Sequence, residues 1–209
     1  MNVPNTLTLV RIFFVPLLVA ALVQGPAELD LRLFTIRTEM LALSIFLIAA
    51  ATDLLDGYLA RRWSQVTTVG TLLDPIADKL LVSAALIALV QVRIVPAWMT
   101  IVVIAREFAI SGLRSIAAAE GYIIEANDFG KAKLVSQVAA ISLLFLSMRW
   151  PQLSAIALAG MWAVVIISVV SALLYFQKFW HKVDDKVKRS RRRELLLQQA
   201  RQRRAARGS

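Results

Sequence analysis

The chain has 209 residues, 58% of them hydrophobic, with 24 Lys and Arg against 14 Asp and Glu and a net charge of +10. That composition excludes a disordered chain, a collagen and a disulfide scaffold, and it favours a chain that crosses a membrane several times over a soluble enzyme. There is no cysteine and one histidine, His181, so any chemistry must run on carboxylates, hydroxyls, Lys, Arg or a carboxylate-bound metal.

A bilayer core about 30 Å thick needs about 20 apolar residues per spanning helix. Six stretches qualify: 7–24, 37–58, 74–92, 95–117, 132–148 and 153–177. The predicted fold class is therefore all-α, a polytopic membrane protein with six transmembrane helices and a short N-terminal interfacial segment. The start carries no basic leader and its apolar run holds Arg11 and Pro16, so the first span is expected to be retained rather than cleaved. The spans leave room only for short loops. Residues 1–180 read as one membrane domain and residues 181–209 as a basic cytoplasmic tail.

The charge is concentrated in that tail, which holds 11 basic and 3 acidic side chains and leaves 13 against 11 for residues 1–180. No aromatics interleave the tail's charges, so it reads as a segment that fixes topology and touches anionic lipid, not as a nucleic-acid arm. Lys and Arg also set the orientation. Arg61, Arg62, Lys131 and Lys133 fall in or next to the 59–73 and 118–131 loops, on the side that the tail occupies. Both termini and those two loops are expected to be cytoplasmic.

The second and third spans carry the informative residues. Asp53 and Asp56 are three apart, and Asp74 and Asp78 four apart, so each pair projects from one face of its helix. A short connection would make the helices antiparallel neighbours, with the pairs able to face each other. An Asp in a span costs a few kcal/mol, and four converging charges also repel. A divalent cation held by hard oxygen ligands offsets both. Gly57 and Ala60, one turn apart, let a ligand or backbone approach closely, and Arg61 is placed to bind phosphate oxygens. Together these suggest phosphoryl transfer without a P-loop; a carboxylate-lined ion transporter is the alternative of a different class.

The stretch resembles the signature of the CDP-alcohol phosphotransferase family, D-x2-D-G-x2-A-R-x8-G-x3-D-x3-D, at every fixed position from Asp53 to Asp78. The resemblance implies a six-helix membrane enzyme, typically a homodimer, that moves a phosphatidyl or related group from a CDP-linked lipid such as CDP-diacylglycerol to an alcohol and releases CMP. It implies that Asp53, Asp56, Asp74 and Asp78 hold two Mg²⁺ or Mn²⁺ ions, that Asp78 is also the base, and that Gly57, Ala60, Arg61 and Gly70 line the CDP site.

A second polar cluster follows. Arg106 and Arg114 lie eight residues apart, about two turns along one helix face. Adjacent Arg106 and Glu107 are not expected to satisfy each other. With Lys131, Lys133 and possible support from Arg11 in the first span, they would suit a doubly charged phosphate monoester, so an acceptor such as glycerol 3-phosphate or inositol phosphate fits and serine does not. The opening Pro-Asn-x-Leu-Thr-x-x-Arg, the segment from Arg106 to Arg114 and Gly-Lys-x-Lys at 130–133 resemble the branch of the family whose acceptor is glycerol 3-phosphate. Inositol phosphate, phosphatidylglycerol and serine are the competing acceptors within the class.

Overall fold

The computed structural model describes the backbone of residues 3–23, 28–31, 34–63, 68–121 and 129–205, and side-chain surroundings for 9–23, 37–52, 77, 79–121 and 133–182. Six α-helices account for most of it: α1 (Val3–Val23), α2 (Thr38–Trp63), α3 (Thr68–Gln91), α4 (Ala97–Ala119), α5 (Phe129–Arg149) and α6 (Ser154–Ala205). Each covers one of the six apolar stretches to within two residues. One departure from the sequence reading matters: α2 and α3 run closer to each other along the chain than the expected 59–73 loop allows, so Ala60, Arg61 and Gly70 stand on helices. The basic segment is helical to Ala205, as part of the 52-residue α6.

A two-stranded antiparallel ribbon, β1 (Glu28–Leu31) and β2 (Phe34–Arg37), joins α1 to α2 where a loop is expected. Its register pairs Leu29 with Ile36 and Leu31 with Phe34, and Glu28 with Arg37. Polar and apolar residues alternate along both strands, which is the period-two pattern of a ribbon. Arg37 then donates to Glu39 at 3.2 Å. Glu39 is buried in the first turn of α2, where a carboxylate also complements the helix dipole.

The chain forms two compact units, residues 1–108 with 126–169 and residues 109–125 with 170–209. The first holds the core. There α1 packs along both α2 and α3, which touch each other far less extensively, and α2 also packs on α5. Leu18, Leu22, Phe46, Leu86, Leu89, Ile141 and Phe145 are almost wholly enclosed. Phe46 and Phe145 bring α2 and α5 together with ring centroids 5.8 Å apart. Alanines 42, 49, 85, 140 and 157 are also buried, and Gly160 lies close to Ala140. Small side chains of this kind let helices approach when the surroundings are as apolar as the interior.

The outside of this unit is apolar too. Phe13 and Val135 are each 68% exposed and Ile101 64%. Among the described residues, one helical stretch, Pro151–Lys182, is long and apolar enough by itself to cross a membrane, and Leu9–Val23, Thr38–Thr52 and Lys79–Gln91 are shorter apolar helices.

Arg93 ends α3 in a left-handed conformation with φ 60°. Ile94 donates to the carbonyl of Leu89 at 3.0 Å and Arg93 to that of Val90 at 2.9 Å, a Schellman closure. A non-glycine residue is strained there, whereas glycine is not, although glycine also frees the unfolded chain. Arg93→Gly is expected to stabilise the fold by about 0.5 kcal/mol net, read as a raised melting midpoint in detergent. A lowered midpoint would show that the arginine side chain contributes more than its backbone strain costs.

Candidate active site

The site begins with the two helices that flank the 64–67 connection. Asp56 lies seven residues before the end of α2, and Asp74 six residues after the start of α3. At 1.5 Å per residue these are about 10 Å and about 9 Å from the connection along each helix. Asp53 and Asp78 are each ten residues away, about 15 Å by the same rise. The two pairs are therefore matched in distance from the connection. The side chains of Asp53, Asp56, Asp74 and Asp78 lie outside the described residues, as do the surroundings of Gly57, Ala60, Arg61, Gly70 and Lys131.

One turn further from the connection, the described residues line a half-open cavity of about 420 Å³. Ala50 and Ala51 of α2, Leu81 and Val82 of α3, Arg11 of α1, and Leu134 and Gln137 of α5 are among its walls. Ala50 precedes Asp53 by three residues, and Leu81 follows Asp78 by three. Arg11 is completely buried, and Gln137 is 4% exposed. The Gln137 Nε2 has no hydrogen-bond partner among the described residues. A buried guanidinium and a buried amide donor thus share a largely apolar chamber beside the carboxylate-bearing turns. An amide donor such as that of Gln137 is costly in an apolar setting without an acceptor to meet it.

The second cluster joins α4 to α5. Arg106 Nη1 donates to Glu107 Oε1 at 3.3 Å, and Lys133 Nζ pairs with the same carboxylate oxygen. The side chains of Arg106, Glu107 and Lys133 are 12%, 15% and 8% exposed. This corrects the expectation that the neighbours Arg106 and Glu107 do not meet. Successive Cβ atoms on a helix do diverge, but both side chains are long enough to turn toward a third group, and Lys133 supplies it from α5. The cluster lies wholly in the first compact unit. Arg114, two turns further along α4, is exposed and belongs to the second unit.

The structure therefore brings Arg106 and Lys133 together and places Arg11 in the chamber beyond the aspartates. Sequence reasoning missed two buried or largely buried polar side chains, Gln137 and Glu107. Gln137 was legible as a polar residue inside an apolar span, one turn after Lys133. Glu107 was set aside as a neighbour of Arg106, although a carboxylate at this depth also needs a counter-charge.

Helices that carry carboxylates near one connection and enclose basic side chains just beyond it have the make-up of a phosphoryl-group transferase acting on anionic substrates. Residues 1–173 match the family model described as CDP-alcohol phosphatidyltransferase. The chain belongs to that family and is an enzyme of its class. It is 42% identical over 187 residues to the CDP-diacylglycerol–glycerol-3-phosphate 3-phosphatidyltransferase of Bacillus subtilis (strain 168), covering 86% of this chain and 95% of that one. The same-named protein of Rickettsia bellii (strain RML369-C) is 32% identical, with 84% and 94% covered. A probable phosphatidylglycerophosphate synthase of Mycobacterium tuberculosis (strain ATCC 25618 / H37Rv) is 34% identical, with 83% and 79% covered.

Proposed function

We propose that this enzyme transfers the phosphatidyl group of CDP-diacylglycerol to sn-glycerol 3-phosphate, giving phosphatidylglycerophosphate and CMP. The observation that carries this reading is the 42% identity to the Bacillus subtilis enzyme over 95% of that protein's length. Enclosure of Arg106 and Lys133 supports an acceptor that brings its own negative charge.

The donor set of Asp53, Asp56, Asp74 and Asp78 suits hard divalent cations, Mg²⁺ or Mn²⁺, and these four residues would hold two of them. Ions bound there supply charge neutralisation for the pyrophosphate and for departing CMP. Gly57, Ala60, Arg61 and Gly70 line the CDP site in this reading, the small residues leaving room and Arg61 meeting phosphate oxygens. Arg11, Arg106, Lys131 and Lys133 receive the acceptor's phosphate. The acceptor's 1-hydroxyl oxygen attacks the phosphorus nearer the lipid, and Asp78 takes the hydroxyl proton. A new P–O bond forms, the bond from that phosphorus to the bridging oxygen breaks, and the electron pair leaves with CMP. Positioning and fixed charge provide most of the acceleration.

The same reading makes all six helices membrane spans, with both termini and the site on the cytoplasmic side of a bacterial inner membrane, in a homodimer. The apolar outer surface of the first unit supports membrane residence. The basic segment 181–209 supports the orientation.

The test is CMP release by detergent-purified protein given CDP-diacylglycerol and Mg²⁺, with glycerol 3-phosphate, inositol 1-phosphate, serine or no acceptor. Release with glycerol 3-phosphate alone is expected. Release with another acceptor alone overturns the acceptor assignment, and ion flux without CMP release would replace the enzyme by a transporter.

A further inference from the structure

We propose that Glu107 is a positioning residue that holds Arg106 and Lys133 together as one phosphate-binding unit. This rests on the proposed function, because it assigns a role within the acceptor pocket. The observation is the shared oxygen: Glu107 Oε1 accepts from Arg106 at 3.3 Å and pairs with Lys133. The two cations come from different helices, α4 and α5. Both are largely withdrawn from water, with side chains 12% and 8% exposed.

Two enclosed cations that close to each other repel strongly. Both sit on long, flexible stems, so without a counter-charge each could turn away toward the interface. The carboxylate between them prevents that. It offsets the repulsion between the two cations at the point where they converge. Because one oxygen serves both partners, it also fixes their spacing. A phosphate monoester arriving at this pair meets donors that are already converged, and less ordering remains to be done on binding. Glu107 touches neither substrate in this account; it acts through Arg106 and Lys133.

The opposite effect is also physically conceivable, since a carboxylate beside the site could compete with the phosphate for the same cations. The two roles predict opposite signs. As a clamp, Glu107 lowers the KM for the acceptor; as a competitor, it raises it.

The experiment compares wild type with Glu107→Gln and Glu107→Asp in detergent, following CMP release while glycerol 3-phosphate and CDP-diacylglycerol are varied separately. Glu107→Gln is expected to raise the KM for glycerol 3-phosphate about tenfold, with the KM for CDP-diacylglycerol held and kcat within about twofold. Glu107→Asp keeps the charge on a shorter stem and is expected to fall between. A readout independent of turnover is the rise in melting midpoint that glycerol 3-phosphate confers on wild type, which Glu107→Gln is expected to lose. An unchanged or lowered acceptor KM in Glu107→Gln overturns the clamp. So does a parallel loss of kcat, both KM values and the unliganded midpoint, which is the mark of a purely structural tie between α4 and α5. If Glu107→Gln does not fold, Glu107→Asp decides, since a wild-type KM in that variant would remove the requirement for fixed spacing. Wild type that turns over only an unphosphorylated alcohol overturns the proposed acceptor and the clamp together. Wild type that uses glycerol 3-phosphate while Glu107→Gln behaves like it overturns the clamp alone.

Discussion

Asp56→Ala is expected to lower CMP release at least about 10³-fold, equivalent to about 4 kcal/mol of transition-state stabilisation. Asp56 stands on α2 and belongs to the pair whose distance from the 64–67 connection matches that of Asp74 and Asp78 on α3. In the proposed site, removing one of four carboxylates would weaken the hold on divalent cations and the neutralisation they would give to the leaving nucleotide. The fold should survive, because the substitution deletes a charge that is costly in an apolar span. The measurement is turnover across a Mg²⁺ and Mn²⁺ titration, beside the melting midpoint of the same preparation. A near-wild-type rate in folded Asp56→Ala would sink the carboxylate site, whereas partial recovery at high metal concentration would strengthen it.

Lys133→Ala is expected to act on one substrate. A hydrogen bond from a charged donor to a phosphate is worth about 1.5–3 kcal/mol, which corresponds to roughly a 10- to 100-fold rise in the KM for glycerol 3-phosphate. The KM for CDP-diacylglycerol should hold. Lys133 also ties α5 to Glu107 on α4, so the substitution tests structure and binding at once. Equal damage to both KM values and to thermal stability would assign the residue to packing. A selective change in the acceptor's KM would assign it to the pocket. An unaltered acceptor KM would remove Lys133 from the phosphate site.

These expectations draw unequally on sequence and fold. The helices were legible because each needs only a long apolar run, a local property of consecutive residues. The aspartates were legible as a fixed spacing, and the family match supports that reading. The β1–β2 ribbon was overlooked although its alternation is written in eight residues, because strands that short compete with an ordinary loop. The matter of α2 and α3 is different. Their short connection suggested direct neighbours, yet α1 lies along both, and nothing local to either helix announces that. The enclosure of Lys133 likewise depends on what α4 brings to α5. A lysine at the start of a span reads equally well as an interfacial anchor until the opposing Glu107 is known.

The central position of α1 has a consequence for how the protein is made. Among the six helices α1 is translated before the others, and it carries Arg11, which ends up buried. Every wall of the chamber around that arginine outside α1, including Phe46, Leu81 and Gln137, is translated later. An arginine in a lone apolar helix is a poor candidate for stable residence in lipid. The earliest of these six helices therefore does not settle by itself, and its final placement waits for α2, α3 and α5. Assembly of this bundle is consequently a problem of timing, in which the centre is synthesised first and completed last.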